Sequence, residues 1–198
     1  MSEQPDKDRW NERYAGDDYL FGTSPNTFLA TQRHLLVPGR TALAIADGEG
    51  RNGVWLGEQG LRVTAVDFSL VAFDKARRLA KHKGADLKFI QADLATWDWQ
   101  ENSFDVVAAI FIQFANPNLR EDIFRGIRRT LVPGGLLLLQ GYRPEQIQYG
   151  TGGPPHAENM YTAAMLGEAF SDFEIVSLSQ RDSIIQEGAG HLGMSALV

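Results

Sequence analysis

Leu43-Ala44-Ile45-Ala46-Asp47-Gly48-Glu49-Gly50-Arg51-Asn52-Gly53-Val54-Trp55-Leu56 is the stretch on which the reading of this chain turns. Residues 43–46 are a short apolar run, the pattern of a strand buried on both faces of a parallel sheet. Gly48 and Gly50 admit positive φ and let a ligand approach the backbone. Asn52 is a candidate cap for a helix that opens at Gly53 and runs to Gln59, with Gly60 as its stop. A ligand at such a junction meets free N–H groups and the positive end of a helix, which favour anionic or acceptor groups. Gly48-x-Gly50-x-x-Gly53 also satisfies the dinucleotide fingerprint, and Asp67 follows Gly48 by nineteen residues, where a ribose-binding acid belongs. On their own the glycines leave open a nicotinamide cofactor, another ligand, or an ordinary turn.

The chain beyond this turn narrows the choice. Residues 62–67 form a second short strand ending in an acid, and residues 71–83 a helix stopped by Gly84. Residues 87–91, 104–112 and 136–140 read as further strands. A helix over 119–131 and a Pro133-Gly134-Gly135 turn separate the last two. This alternation predicts an α/β fold with a doubly wound, mostly parallel sheet. After Gly141 the rhythm breaks. Residues 141–155 are Gly- and Pro-rich and read as a functional or disordered loop. A helix over 161–169 follows. Two strands at 173–179 and 193–198, joined without a helix, predict an antiparallel pair and bring the sheet to seven strands. That last strand runs apolar to Val198, which leaves open whether residues follow it.

Ahead of the first strand, residues 1–8 are polar and read as disordered. Trp10 and Tyr14 share one helix face, Tyr19 and Phe21 follow, and Asn26 is placed to cap a helix reaching residue 35. The segment reads equally well as a plug on one end of the sheet and as an aromatic lid over a pocket. The chain is thus read as one domain over 1–198, with a helical and aromatic cap over 1–36 and a Rossmann-like core over 37–198.

Composition excludes several classes. With 198 residues, 43% of them hydrophobic, a single substantial core is expected. The net charge of −6 and the helical spacing of the basic clusters at 75–83 and 125–129 argue against nucleic acid as a partner. There is no cysteine, hence no thiolate nucleophile, and no His/Asp/Glu set has metal-ligand spacing. No signal peptide and no apolar run long enough for a bilayer is seen, so a cytoplasmic protein without membrane contact is expected; the oligomeric state stays open.

In this order the residues resemble the class I S-adenosylmethionine-dependent methyltransferases. The nearest branch is the small tellurite-resistance-type and related bacterial enzymes. Gly48-Glu49-Gly50-Arg51-Asn52 is similar to the family's G-x-G-R-N turn. Val66-Asp67-Phe68-Ser69 is similar to the strand-two end whose acid holds the ribose hydroxyls, and Gln91-Ala92-Asp93-Leu94 to the segment whose acid meets the adenine amino group. Ser103-Phe104-Asp105-Val106-Val107 and Leu131-Val132-Pro133-Gly134-Gly135 are similar to its fourth and fifth strands. The resemblance implies a sheet ending in an antiparallel hairpin, S-adenosyl-L-methionine as cofactor and a small-molecule methyl acceptor.

The resemblance also implies the site. Tyr14, Ala46, Asp47, Gly48, Gly50, Arg51, Asn52, Asp67, Phe68, Ala92, Asp93, Leu94 and Ile110 would hold the cofactor. Phe68 and Leu94 would flank its adenine. His191, in a glycine-flanked turn before the last strand, would line the acceptor pocket with Tyr149 and Arg143 as further catalytic candidates. Tyr19, Gln113 and Tyr142 would touch the substrate, and Arg143 or Arg51 would hold an anionic acceptor.

Two positions depart from the family. Ala44 stands where an acid is usual and Ala46 where a glycine is usual. A charge-assisted hydrogen bond to the cofactor's amino-acid end is worth about 1.5–3 kcal/mol. Asp47, Glu49 or Asp17 would have to replace it. A nicotinamide-dependent oxidoreductase and a non-catalytic binding protein on the same fold are the alternatives.

Overall fold

Five short apolar strands in this chain are bounded by helices on nearly every connection, and the computed structural model, which describes residues 4–198, pairs them in parallel. Residues 1–3 of the stretch expected to be disordered lie outside the described residues, and the rest enters helix α1 (Gln4–Tyr14). α2 (Thr27–Thr31) follows, with the Asn26 side chain accepting from Leu29 N at 3.0 Å as its cap. Then come β1 (Thr41–Ile45), α3 (Arg51–Glu58), β2 (Arg62–Asp67), α4 (Leu70–Lys83) and β3 (Leu87–Gln91). They are followed by β4 (Phe104–Ile110), α5 (Pro117–Thr130) and β5 (Leu131–Gln140). Gly60 and Gly84 sit at φ 85° and 68° past α3 and α4, the left-handed stops read from sequence.

The strand order is β3-β2-β1-β4-β5. The chain therefore reverses direction of growth between β1 and β4, and a crevice opens at their carboxyl ends. Strand alternation sorts the core into two layers. Leu43, Ile45, Val66, Val107 and Ala109 pack with Ile123, Phe124 and Ile127 of α5. Ala42, Ala44, Val63, Val106 and Ala108 pack with Leu29 of α2 and Leu56 of α3.

The end of the chain is arranged differently from the reading of its sequence. Among the described residues seven strands are present, but five form the parallel sheet. The other two, β6 (Arg181–Gln186) and β7 (Leu192–Leu197), form a separate antiparallel hairpin. The hairpin docks onto the extension of β5 by a Tyr142–Leu197 bridge and by reciprocal Gly141–Val198 hydrogen bonds of 2.9 and 3.0 Å. Residues 173–179, expected as a strand, are not one; β6 begins at Arg181, inside the expected connection. Their alternating pattern has no neighbouring strand to pair with, and Ile175, Val176 and Leu178 stay exposed. The Gly/Pro loop also contains a single-turn helix, α6 (Gln146–Tyr149). The buried Gln146 ties it to the hairpin by accepting from Ala196 N at 2.9 Å. α7 (Ala163–Ala169) covers the core beyond it. Among the described residues no helix is long and apolar enough to cross a membrane.

Candidate functional site

The crevice at the carboxyl ends of β1 to β4 is a pocket enclosing about 100 Å³. Its floor is the glycine turn, Ala46 to Glu49, with Arg51 and Asn52 of α3. One wall is Asp67, Phe68, Ala92, Asp93 and Leu94, from the ends of β2 and β3. The other is Ile110, Phe111, Phe114 and His191. Trp10, Tyr14, Phe21 and Gly22 close it from the N-terminal side. The segment before β1 is therefore a lid, with Trp10 and Tyr14 stacked at 5.5 Å between ring centroids.

The turn owes its shape to carboxylates. Gly48 N donates to Asp67 Oδ2 at 2.9 Å, and Ser69 N to Asp67 Oδ1 at 2.8 Å. Gly53 N donates to Asp47 Oδ1 at 3.0 Å and Oδ2 at 3.2 Å. Asp47 thus caps the opening of α3, the task expected of Asn52. Asn52 instead lies inside α3, its Oδ1 accepting from Asn26 N at 2.9 Å. Gly50, at φ 88°, caps the helix backbone, and a Cβ there would lie 2.7 Å from the Ala76 methyl of α4. Burial pushes the Asp47 carboxyl up to about 7 and the Asp67 carboxyl up to about 6, against the N–H bonds that favour their ionised forms.

Two basic groups near the turn are already paired. Arg51 donates to Glu187 Oε2 at 2.8 Å, and both side chains are buried. Asn26 and Thr27 N bond the same carboxylate. Burial alone would raise the Glu187 carboxyl. The Arg51 charge, with the bonds from Thr27 and Asn26, holds it below its usual range. Arg51 is therefore not free for an anionic acceptor. Lys75 of α4 pairs with Glu49 Oε1 at 2.5 Å. Asp93 accepts from Lys7 Nζ of the lid at 2.5 Å and from Ala95 N at 3.0 Å, and these outweigh its partial burial to lower its pKa.

At the other end the site is aromatic. The His191 ring lies 4.4 Å from Phe21, 4.3 Å from Phe111 and 5.8 Å from Tyr142 between centroids. Burial, with help from the Arg51 charge, pushes its imidazole down to about 3, so it is neutral. Its Nδ1 is buried without a hydrogen-bond partner.

The remaining candidates lie elsewhere. Tyr142 is buried behind His191 and does not line the pocket. Gln113 clamps the Tyr142 backbone, donating to its carbonyl at 2.7 Å and accepting from its N–H at 2.6 Å. Tyr19 donates to Lys75 O at 2.9 Å, outside the pocket. Arg143 and Tyr149 both reach Asp182 of the hairpin, and neither lines the pocket. Sequence reading passed over Lys75 and Glu187. Lys75 had a visible signal: it falls three residues after Ala72 and four before Leu79, on the buried face of α4. Glu187 had none, because its partners are remote in the chain.

Residues 42–135 match the family model described as a methyltransferase domain. A demethylmenaquinone methyltransferase of Renibacterium salmoninarum is 32% identical over 103 residues, covering 52% of this chain and 41% of that protein. The chain spans about two fifths of the length of that curated relative. TehB from Haemophilus influenzae superposes with a TM-score of 0.71 at 14% identity, over 96% of this chain and 64% of that one. An S-adenosylmethionine-dependent methyltransferase from Methanosarcina mazei does so at 0.67 and 18%, over 88% of this chain and 97% of that one. At these identities the two structures share the fold.

Proposed function

We propose, from the match of residues 42–135 to the model of a methyltransferase domain, that the chain transfers the methyl group of S-adenosylmethionine to a small-molecule acceptor. The observation that carries the reading is the use of the glycine turn's own donors. The amides of Gly48 and Gly53 bond Asp67 and Asp47, and Arg51 is held by Glu187. A dinucleotide's pyrophosphate would find those donors occupied and two acids beside it. A cationic ligand with ribose hydroxyls would find acceptors. This favours a sulfonium nucleoside over a nicotinamide cofactor.

In this reading the remaining lone pairs of Asp67 accept from the ribose hydroxyls. Phe68 and Leu94 flank the adenine, and Asp93 exchanges Lys7 for its amino group. Asp47 supplies the charge for the ammonium, in place of the acid absent at Ala44, because Glu49 is held by Lys75. Tyr14 and Trp10 offer aromatic faces to the cation. The bound cofactor supplies an already activated methyl group, so the chain's main task is alignment, worth roughly 7–11 kcal/mol when geometry is good. His191, Phe21 and Phe111 would seat the acceptor. An imidazole with so low a pKa orients by a single hydrogen bond and does not remove protons. The acceptor class is therefore one that arrives with a nucleophilic lone pair, such as an amine nitrogen or a thiolate.

Titration calorimetry with S-adenosylhomocysteine beside NAD tests this. Saturable micromolar binding of the first and none of the second is expected; saturation by NAD alone would discard the proposal.

A further inference from the structure

The pocket encloses about 100 Å³, whereas sites for ligands of nucleoside size or larger enclose roughly 300–1,000 Å³. The α1 lid must therefore swing for such a ligand to enter. Two contacts latch its body: Lys7 to Asp93, and Ser69 Oγ to Asn11 Oδ1 at 2.6 Å. The loop after α1, residues 15–18, is exposed and has no apolar anchor. It is held by one side chain. Lys75 Nζ donates to the carbonyls of Asp18 at 2.6 Å, Gly16 at 2.8 Å and Tyr14 at 3.2 Å. The same ammonium lies 2.5 Å from Glu49 Oε1 in the glycine turn. Four oxygens thus surround a group with three N–H donors, and Lys75 is 2% exposed. Tyr19 closes the loop by donating to Lys75 O.

We propose that Lys75 is a positioning residue: its ammonium pins the hinge of the lid to Glu49 of the glycine turn, so that docking of α1 and the seating of the turn are set together. Glu49 has no other ion-pair partner among the described residues and is itself 3% exposed. Removal of Lys75 alone would therefore strand the buried Glu49 carboxylate, whereas Lys75 without Glu49 keeps its three carbonyl acceptors. Lid docking in turn seats Tyr14, whose hydroxyl lies 2.9 Å from where a Cβ on Gly48 would be. The hinge thus places the hydroxyl edge of Tyr14 against the turn. That the lid covers a cofactor rests on the proposed function; that Lys75 holds the lid does not.

Lys75→Met alone leaves Glu49 unpaired and risks unfolding, so the decisive variant is the neutral pair E49Q/K75M. Its ligand-free form is compared with wild type by hydrogen exchange. An undocked helix of α1's length is marginal in water, so α1 amides are expected to exchange at least about tenfold faster while β1 and β4 amides do not change. E49Q alone keeps the three carbonyl contacts and is expected to leave α1 exchange close to wild type. S-adenosylhomocysteine release, followed by stopped flow, is expected to quicken about tenfold in the double variant, or about 1.4 kcal/mol. Wild-type α1 exchange in the double variant, equal loosening of the core strands, or unaltered release would each overturn the proposal. Should wild type fail to bind S-adenosylhomocysteine, the proposed function falls, and the exchange comparison decides the role of Lys75 by itself.

Discussion

The two ends of the pocket are made in opposite ways. The end that the proposed function assigns to the methyl donor, the donor end, is charged and local: Asp47 and Asp67 fold back onto amides six and nineteen residues away. The end assigned to the acceptor, the acceptor end, is neutral and assembled from afar: Phe21 from the lid and Phe111 from the end of β4 each lie within 4.4 Å of the His191 ring of the hairpin, between centroids. A turn that satisfies its own backbone is fixed by a short run of sequence. An aromatic box is fixed only when three remote elements dock. One end therefore suits a constant ligand, and the other is free to vary its shape around the same core.

The largest effect expected separates the ends by affinity. Asp67→Ala removes the acceptor for two turn amides and, in the proposed function, for the ribose. Two charge-assisted bonds of about 1.5–3 kcal/mol each predict at least a hundredfold weaker S-adenosylhomocysteine binding by calorimetry. His191→Phe keeps the aromatic box and should change that binding less than about threefold. Equal losses in both variants would erase the distinction between donor and acceptor ends.

The same contrast explains what the sequence revealed. Strand, turn and acid from Ala44 to Asp67 were legible because backbone geometry and spacing decide them. The one slip there, Asn52 as the cap, arose because Asp47 reaches Gly53 N across a turn that spacing alone does not define. At the acceptor end His191 was legible from its glycines. Arg143 and Tyr149 follow β5, on the side where ligands of parallel sheets sit, but α6 folds their loop back and Asp182 binds both. Residues 173–179 have the alternation of a strand and lack a partner, and periodicity says nothing about partners. The lid-or-plug question needed the side chains of Trp10 and Tyr14 in the pocket wall to resolve it.

A second, smaller effect is a pair of opposed pH dependences. Asp47 and Asp67, at about 7 and about 6 when folded, lie above their unfolded values, so the folded state retains protons that the unfolded state has lost. Their contribution to stability falls as pH rises from about 4 to about 7. His191, at about 3, lies below its unfolded value. Its contribution is lost as pH falls through about 6.5 toward 3, because the unfolded imidazole gains a proton first. Between pH 5 and 8 the two carboxyls withdraw roughly 4 kcal/mol, while the imidazole returns roughly 2 kcal/mol below pH 6.5. Urea unfolding of the ligand-free protein should therefore show stability falling with pH by roughly 2 kcal/mol over this range. Asp47→Asn should remove most of that fall, and His191→Phe should deepen it. Parallel slopes in the two variants would mean that one of the two groups is not buried as described.

The smallest effect tests a symmetry between the ends. Ala46 just after β1 and Phe111 just after β4 both adopt left-handed backbone, at φ 48° and 55°, and both line the pocket. Left-handed geometry costs an L-residue roughly 1–2 kcal/mol, and glycine avoids this while losing about 0.5–1 kcal/mol in chain entropy. At the donor end only a methyl group is lost, so Ala46→Gly should stabilise by up to about 1 kcal/mol, raising Tm by roughly 2–4 °C in a domain of this size. At the acceptor end the same relief is outweighed. The half-buried Phe111 ring packs against Tyr142 and meets His191 edge-on; removing a fully buried phenyl costs about 3–5 kcal/mol, and even about half of that exceeds the relief, so Phe111→Gly should destabilise. If Ala46→Gly lowers Tm instead, the methyl supports the turn through packing, and Ala46 is an adaptation of this end of the pocket instead of a residual strain.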